Sequence, residues 1–420
     1  MWKTSFIQFL KIIGQNKFFT FLNLFGVSIT VMIILIAAIK IESTISPGGS
    51  EKNNGNTLYI SSIMITSDNN TRIGGVSLPI LEDYMSKMVS PKAIAFSSDA
   101  PWSYIGENGV EEFTIRSVNS GWWQVFDFEF KEGRSFNQQD ITDANWVVVI
   151  DSRIKNRFFQ DQEAVGQMLE IAGKMYKVVG VVEEVSSNCE RTFANIFIPY
   201  TLTKGYGKDI RQTGAFDVTF MTSNKNTQEI RNEVESLRKR IIPQLKDGYT
   251  LYFSGPDTPV ESYLRGWANP DEYVGHGSEM MKILGKFLLL MLLPAINLIS
   301  IQLIRIHERS EEIGVRKAFG ASRGKLIKQI LYENTLLTII GAILGLVLAL
   351  IVVYGFKDFL AEVLFSDIGQ NNENIHFNIN FGIFFISLIA SLILSLMSGI
   401  IPAIKMSRLQ AVEVLKGGEL

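Results

Sequence analysis

The chain has little of what metal and redox sites are built from. Its 420 residues include one cysteine and three histidines, too few nitrogen and sulfur ligands for the usual transition-metal sites. Cys189 has no partner within the chain, so no intrachain disulfide can form, and a small buried side chain is the simplest reading of it. Charge of one sign is also missing. Lys and Arg number 40 against 42 Asp and Glu, a formal net charge of -2, which leaves neither the basic excess that nucleic-acid binding needs nor a solvating acidic tail. No H-E-x-x-H motif, paired-cysteine spacing or histidine beside a nucleophilic Ser or Cys occurs, and Glu111 and Asp140 read as ordinary surface carboxylates among many. A phosphate-binding loop is absent too. Gly320–Leu326, GASRGKL, comes nearest, but its glycines stand one residue too close, Leu326 replaces the magnesium-binding hydroxyl, and no buried strand precedes it. Gly320 is better read as ending one helix and Ser322 as capping the next, with Lys325 and Lys328 toward solvent or headgroups. The expectation is a chain with no catalytic residue, no metal site and no cofactor of its own.

What the sequence does have is segregation. Four windows, 18–40, 283–304, 335–356 and 379–404, are almost free of charge. Each is long enough to cross a hydrocarbon layer of about 30 Å at about 1.5 Å per residue. Lys286, near the start of the second window, can snorkel to the interface, while Pro294 and Asn297 suggest a kink or a polar helix contact inside a bundle. The first window outruns the apolar core of a signal peptide and no A-x-A site follows it, so an uncleaved anchor is expected. Before it, Trp2, Phe6, Phe9 and Ile13 recur at helical spacing among Lys3, Lys11 and Lys17, as in an amphipathic lead-in over 1–17 that lies among lipid headgroups.

The short flanks set the orientation. Lys3, Lys11 and Lys17 precede the first window, Arg305, Arg309, Arg316, Lys317, Arg323, Lys325 and Lys328 follow the second, and Lys405, Arg408 and Lys416 follow the fourth. The 357–378 connection instead carries Asp358, Glu362, Asp367 and Glu373. The positive-inside rule then puts both termini, the 305–334 loop and the 405–420 tail in the cytoplasm, with 357–378 a short external loop. The fold expected is a membrane protein with four transmembrane α-helices and a large extracytoplasmic domain, residues 41–279, inserted between the first and second.

Within 41–279, strand-like runs at Trp146–Ile150, Tyr176–Val185, Ile196–Tyr200, Phe216–Met221 and Leu251–Ser254 mix with helical patterns at Leu78–Met88 and Gln228–Ile241. No βαβ rhythm emerges, so an α+β domain, in one lobe or two, is expected. Ser43–Asn56, rich in Gly, Ser and Asn, reads as a linker or loop after the first window.

The cytoplasmic loop is the most informative stretch. In Glu308–Ser322, ERSEEIGVRKAFGAS, the apolar Ile313, Ala318 and Phe319 are ringed by Glu311, Glu312, Arg316 and Lys317. Apolar anchors with a charged rim suit a protein-docking surface; an interfacial helix lying on lipid is the other reading, although such helices are usually more basic.

Several stretches resemble the MacB/FtsX-type permeases of ABC transporters. Ser310–Asn334, SEEIGVRKAFGASRGKLIKQILYEN, is similar to the family's loop after the second span. Lys17–Ile29 resembles its first helix, Gly341 and Gly345 with their leucine surroundings its third span, and Ile401–Gly417, IPAIKMSRLQAVEVLKG, its C-terminal signature. Val125–Phe136, Val147–Phe159 and Lys177–Val185 are similar to its periplasmic core domain.

The resemblance implies a homodimer in a bacterial cytoplasmic (inner) membrane, with the large domain periplasmic or extracellular. Its loop would be a coupling helix on a cytoplasmic ABC ATPase that binds ATP and Mg. The multidrug exporter that names the group carries its ATPase at the N-terminus; this chain begins at the permease, so a separate ATPase polypeptide is expected. Glu311, Glu312, Ile313, Gly314, Arg316 and Gly320 take the positions of the docking loop, and Arg309 and Lys317 flank them. Glu312 and Arg316 would pair charge with the ATPase, Ile313 would anchor, and Gly314 and Gly320 would permit close backbone approach. Gly341 and Gly345 either allow tight helix packing or are ordinary glycines of a membrane helix. The implied role is mechanotransmission for export of a drug, peptide or lipoprotein, with a periplasmic adaptor and outer-membrane channel as further partners. A signalling permease acting on an envelope enzyme or sensor kinase is the alternative, and a passive membrane-anchored binding domain is the remote one.

Overall fold

Val, Ile, Phe and Tyr recur in short runs between Thr57 and Phe253, and the runs pair into two sheets. The structure, a computed structural model, describes residues 17–45, 49–67, 70–106, 109–186, 189–203, 209–223, 226–245, 248–265, 321–356 and 359–360, with scattered positions at 281, 285, 319 and between 382 and 404. The chain divides into two units. One holds Met1–Ile41, Met281–Leu364 and Phe377–Leu420; the other holds Glu42–Met280 with Phe365–His376.

In the second unit, helix α1 (Lys17–Ile45), which begins in the first, leads to β1 (Thr57–Ile60), β2 (Ile63–Ser67), β3 (Asn70–Gly74), α2 (Leu78–Asp83) and the long hairpin β4 (Ala93–Gly106) and β5 (Gly109–Val118). Next come α3 (Trp122–Val125), β6 (Phe130–Gly133), α4 (Gln138–Thr142), β7 (Val147–Asp151), α5 (Ser152–Phe158), β8 (Met168–Ile171), β9 (Lys174–Val182) and β10 (Ile196–Pro199). The unit closes with β11 (Asp217–Met221), α6 (Thr227–Ile241), β12 (Thr250–Phe253) and α7 (Pro259–Arg265).

A nine-stranded mixed sheet runs in the order β1-β11-β4-β5-β10-β7-β9-β6, with β8 also pairing β9; β12-β2-β3 form a separate antiparallel sheet. Alternation along β7 fills both faces of the large sheet: Val148 and Ile150 join one apolar cluster and Val147 and Val149 another. A third cluster packs Ile230, Val234, Leu237 and Ile241 of α6 against the small sheet, their spacing placing all four on one helix face. The domain is α+β, as its mixed patterning implies.

Strand ends fall within one to three residues of the sequence reading. Two readings need correction. Leu78–Met88 is not one helix: α2 stops at Asp83 and a 3-10 turn, Met85–Lys87, comes after it. Of the two readings of Ser43–Asn56, the loop holds and the free linker does not. α1 continues to Ile45, and two 3-10 turns, Gly49–Glu51 and Asn54–Asn56, bury Ser50, Glu51 and Asn54. Their polarity marks a solvated linker only if they face water; here they bond inward.

In the first unit, two helices among the described residues are long and apolar enough to cross a membrane, Thr20–Ile39 within α1 and Gly324–Gly355 within α8 (Arg323–Gly355). Their apolar residues encircle them, as a helix with apolar surroundings on every side requires. Residues 323–334 form the first turns of α8, with Ser322 at the N-cap position as its sequence reading expects, and nothing between Arg323 and Thr335 breaks the helix. The lead-in 1–16, nearly all of 283–304, the 361–378 stretch and the 405–420 tail lie outside the described residues.

Candidate functional site

Arg309, Glu311, Glu312, Ile313, Gly314, Arg316, Lys317 and Gly320 lie outside the described residues. Among their described neighbours, Phe319 is 88% exposed. Ser322 occupies the N-cap position of α8 with extended backbone, its carbonyl accepting from Lys325 N at 3.0 Å and Leu326 N at 3.3 Å; its hydroxyl makes no capping bond. Lys325 and Lys328 are exposed while Leu326 is buried. The end of the loop thus passes directly into one rigid helix, about 50 Å long at about 1.5 Å per residue.

That helix packs on α1 through its glycines. A Cβ added at Gly341 would stand 2.7 Å from Val27 Cγ1, and one at Gly345 would stand 2.6 Å from the Ser28 carbonyl oxygen and 2.8 Å from Val31 Cβ. One helical turn apart, the two glycines let the backbones approach where any side chain would hold them off. Around them Val27, Val31 and Leu35 of α1 bury against Ala342 and Ala349 of α8 and against Phe384. Three hydroxyls on these helices bond to their own backbone: Ser28 Oγ donates to Phe25 O at 2.9 Å, Thr30 Oγ1 to Gly26 O at 2.7 Å and Thr338 Oγ1 to Asn334 O at 2.8 Å.

A second constellation, in the second unit, was not legible in the sequence. Glu51 is 3% exposed, and its Oε1 accepts from Arg191 N, Thr192 N and Thr192 Oγ1, each at 3.0 Å. Ser50 Oγ shares a 2.7 Å hydrogen bond with Thr192 Oγ1. Asn54 Nδ2 donates to Glu51 Oε2 at 3.3 Å, and Tyr59 donates its hydroxyl to Asn54 Oδ1. The Arg191 guanidinium lies 3.4 Å from the Tyr59 ring centroid and donates to Ser262 Oγ on α7 at 2.8 Å. Tyr59 and Asp257 exchange both backbone hydrogen bonds, at 2.8 and 2.9 Å. Asp257 also takes a two-pronged contact from Arg265, at 2.5 and 3.1 Å, and Arg231 on α6 meets Glu261 at 2.6 Å.

Burial pushes the Glu51 carboxyl up, against the pull of Arg191 and the Thr192 and Asn54 bonds. Asp217 of β11 is likewise pushed up to about 6 by burial, opposed by Arg191 and Arg116. Arg116, on β5, is driven down by burial; it donates to Phe193 O, Ser97 Oγ and Glu190 O at 3.2–3.3 Å and lies over Trp122. Each such donor left unpaired in the interior would cost about 1–3 kcal/mol, so the cluster is held by mutual satisfaction more than by net charge.

The remaining polar residues singled out from sequence have structural partners. Glu111 meets Arg157 at 2.9 Å, Asp140 completes a capping box with Asn137 at the start of α4, and Cys189 is buried.

Comparison with known proteins bears on both units. The family profile for the MacB-like periplasmic core domain matches residues 20–237, and that for the FtsX-like permease C-terminal region matches 286–411. The chain is 23% identical over 235 residues to the uncharacterized ABC transporter permease YknZ of Bacillus subtilis (strain 168), covering 56% of this chain and 55% of that one. It is 26% identical over 239 residues to the macrolide export ATP-binding/permease protein MacB of Acinetobacter baylyi, covering 56% of this chain and 34% of that one. The match therefore spans about half the length of the first relative and a third of the second. Among solved structures, the periplasmic region of MacB from Actinobacillus actinomycetemcomitans aligns with a TM-score of 0.35 and 17% identity, over 50% of this chain and 94% of that one.

Proposed function

Since the chain belongs to the MacB-like, FtsX-type family of ABC transporter permeases, we propose that it is a permease subunit that converts ATP hydrolysis on the cytoplasmic side into motion of its outer domain. The observation that carries this reading is the continuity of α8. The segment 305–322 runs into a 33-residue helix, and that helix is seated by Gly341 and Gly345 on α1, whose C-terminal end leads into the outer domain. In this reading a push on the loop is carried along α8 to α1.

In this reading the subunit has four spans, with both termini in the cytoplasm of a bacterial inner membrane, and works as a homodimer. Residues 309–320 form the coupling element: Glu312 and Arg316 pair charge with a separate ABC ATPase, which supplies ATP and Mg, and Ile313 fills an apolar recess. The cargo class is that of an exporter, a drug, peptide or lipoprotein.

Affinity isolation of the intact protein in mild detergent tests this. An ABC ATPase should co-purify, and its hydrolysis rate should change when the permease is present. Isolation that repeatedly yields no nucleotide hydrolase would sink the reading. Recovery of an adaptor and outer-membrane channel supports export, whereas a sensor kinase or wall enzyme in their place selects a signalling role for the same machinery.

A further inference from the structure

We infer that Glu51, Arg191 and Ser262 form the joint through which force carried by the membrane helices enters the outer domain. The inference rests on the transmission role proposed above and names where in the domain that role is executed. Two chain segments connect the outer domain to membrane-side sequence, one arriving through Gly49–Asn56 and one departing after α7. They are far apart in sequence, yet the structure ties both to one turn: Glu51 takes the amides of Arg191 and Thr192, and Arg191 holds Ser262 of the departing helix. Tyr59 bridges the same two segments again, by its backbone to Asp257 and by its ring under Arg191.

From that turn the connection continues into the large sheet. Arg116 of β5 grips the carbonyls of Glu190 and Phe193 on either side of it. Asn195, just before β10, receives the β5 backbone amide of Thr114 on its side chain and donates to Asp151 at the end of β7. Among the described residues, the arriving and departing segments share no apolar cluster of comparable extent. A domain fixed only by apolar packing could slip about its connections. Directional hydrogen bonds to a buried carboxylate resist shear as well as separation, because each is lost when its geometry turns away.

The test uses the full-length permease in lipid nanodiscs with its ATPase, carrying spin labels at Val89→Cys in the outer domain and Tyr354→Cys at the end of α8, both exposed positions. Wild type should show a shift in the inter-label distance between nucleotide-free and ATP-bound states. Glu51→Ala and Arg191→Ala should keep the ATPase bound and stimulated but lose most of that shift. Ser262→Ala, which removes only the departing contact, should lose part of it, and Glu51→Gln, which retains the acceptor oxygen, should lose less than Glu51→Ala. If Glu51→Ala fails to fold, as judged by protease resistance of the outer domain, the Glu51→Gln and Ser262→Ala variants carry the test. A folded Arg191→Ala or Ser262→Ala variant that shifts by the full wild-type amplitude overturns the joint. Absence of any shift in wild type overturns the transmission role itself, whatever the variants do.

Discussion

Glu312→Lys and Arg316→Glu are each expected to abolish co-purification of the ATPase while leaving membrane insertion intact. The expectation comes from the composition of 308–322, where a few apolar side chains are framed by charges of both signs. Removing one member of a hydrogen-bonded interfacial charge pair costs about 2–5 kcal/mol, and reversal adds repulsion to that loss. At about 1.4 kcal/mol per decade, even the lower figure weakens binding some thirtyfold, enough to empty a complex during washing. Phe319→Ser, which removes one of the apolar anchors, should weaken binding as well. Undiminished recovery of ATPase in both charge variants would remove the docking assignment from this loop.

Gly345→Leu is expected to have the largest effect of any single change in the membrane unit. Its Cβ alone would stand 2.6 Å from a backbone oxygen, that of Ser28, which cannot rotate away, so the helices must separate. Overpacking of this kind costs about 1–3 kcal/mol where a site can relax and more where backbone is the obstacle. The thermal midpoint in detergent should fall, and stimulation of the ATPase should fall with it, while the ATPase itself remains bound. Ile343→Leu, on the exposed side of the same helix, is the control and should change neither. A Gly345→Leu protein with unaltered stability and stimulation would show that the α1–α8 contact is dispensable.

How legible these features were in sequence differs by length scale. Long charge-free windows survive averaging over many residues, and two described helices long and apolar enough to cross a membrane cover the first and third of them. Strands with continuous apolar runs, such as Val147–Asp151 and Ile196–Pro199, were legible because both faces are buried. β3, exposed from Asn70 to Ile73, and the C-terminal half of β4, with Pro101 and alternating exposed residues, carry no such signal; pairing across a hairpin makes them strands. The buried joint was the least legible feature. Glu51 stands in a stretch whose Gly, Ser and Asn content is that of a solvated linker, and Arg191 is one charge among many. Only the meeting of residues some 140 positions apart turns a loop carboxylate into a buried acceptor, and nothing local in either segment encodes that meeting.

Site-specific photocrosslinking at Phe319 puts the whole account to the test at its base. A photoreactive residue at this exposed position, in cells expressing the intact system, should form an adduct with the ABC ATPase on the cytoplasmic side. The same residue at Val89 should react only with extracytoplasmic proteins. An adduct from Phe319 to an external protein, or one from Val89 to the ATPase, would contradict both the orientation and the role assigned to this chain.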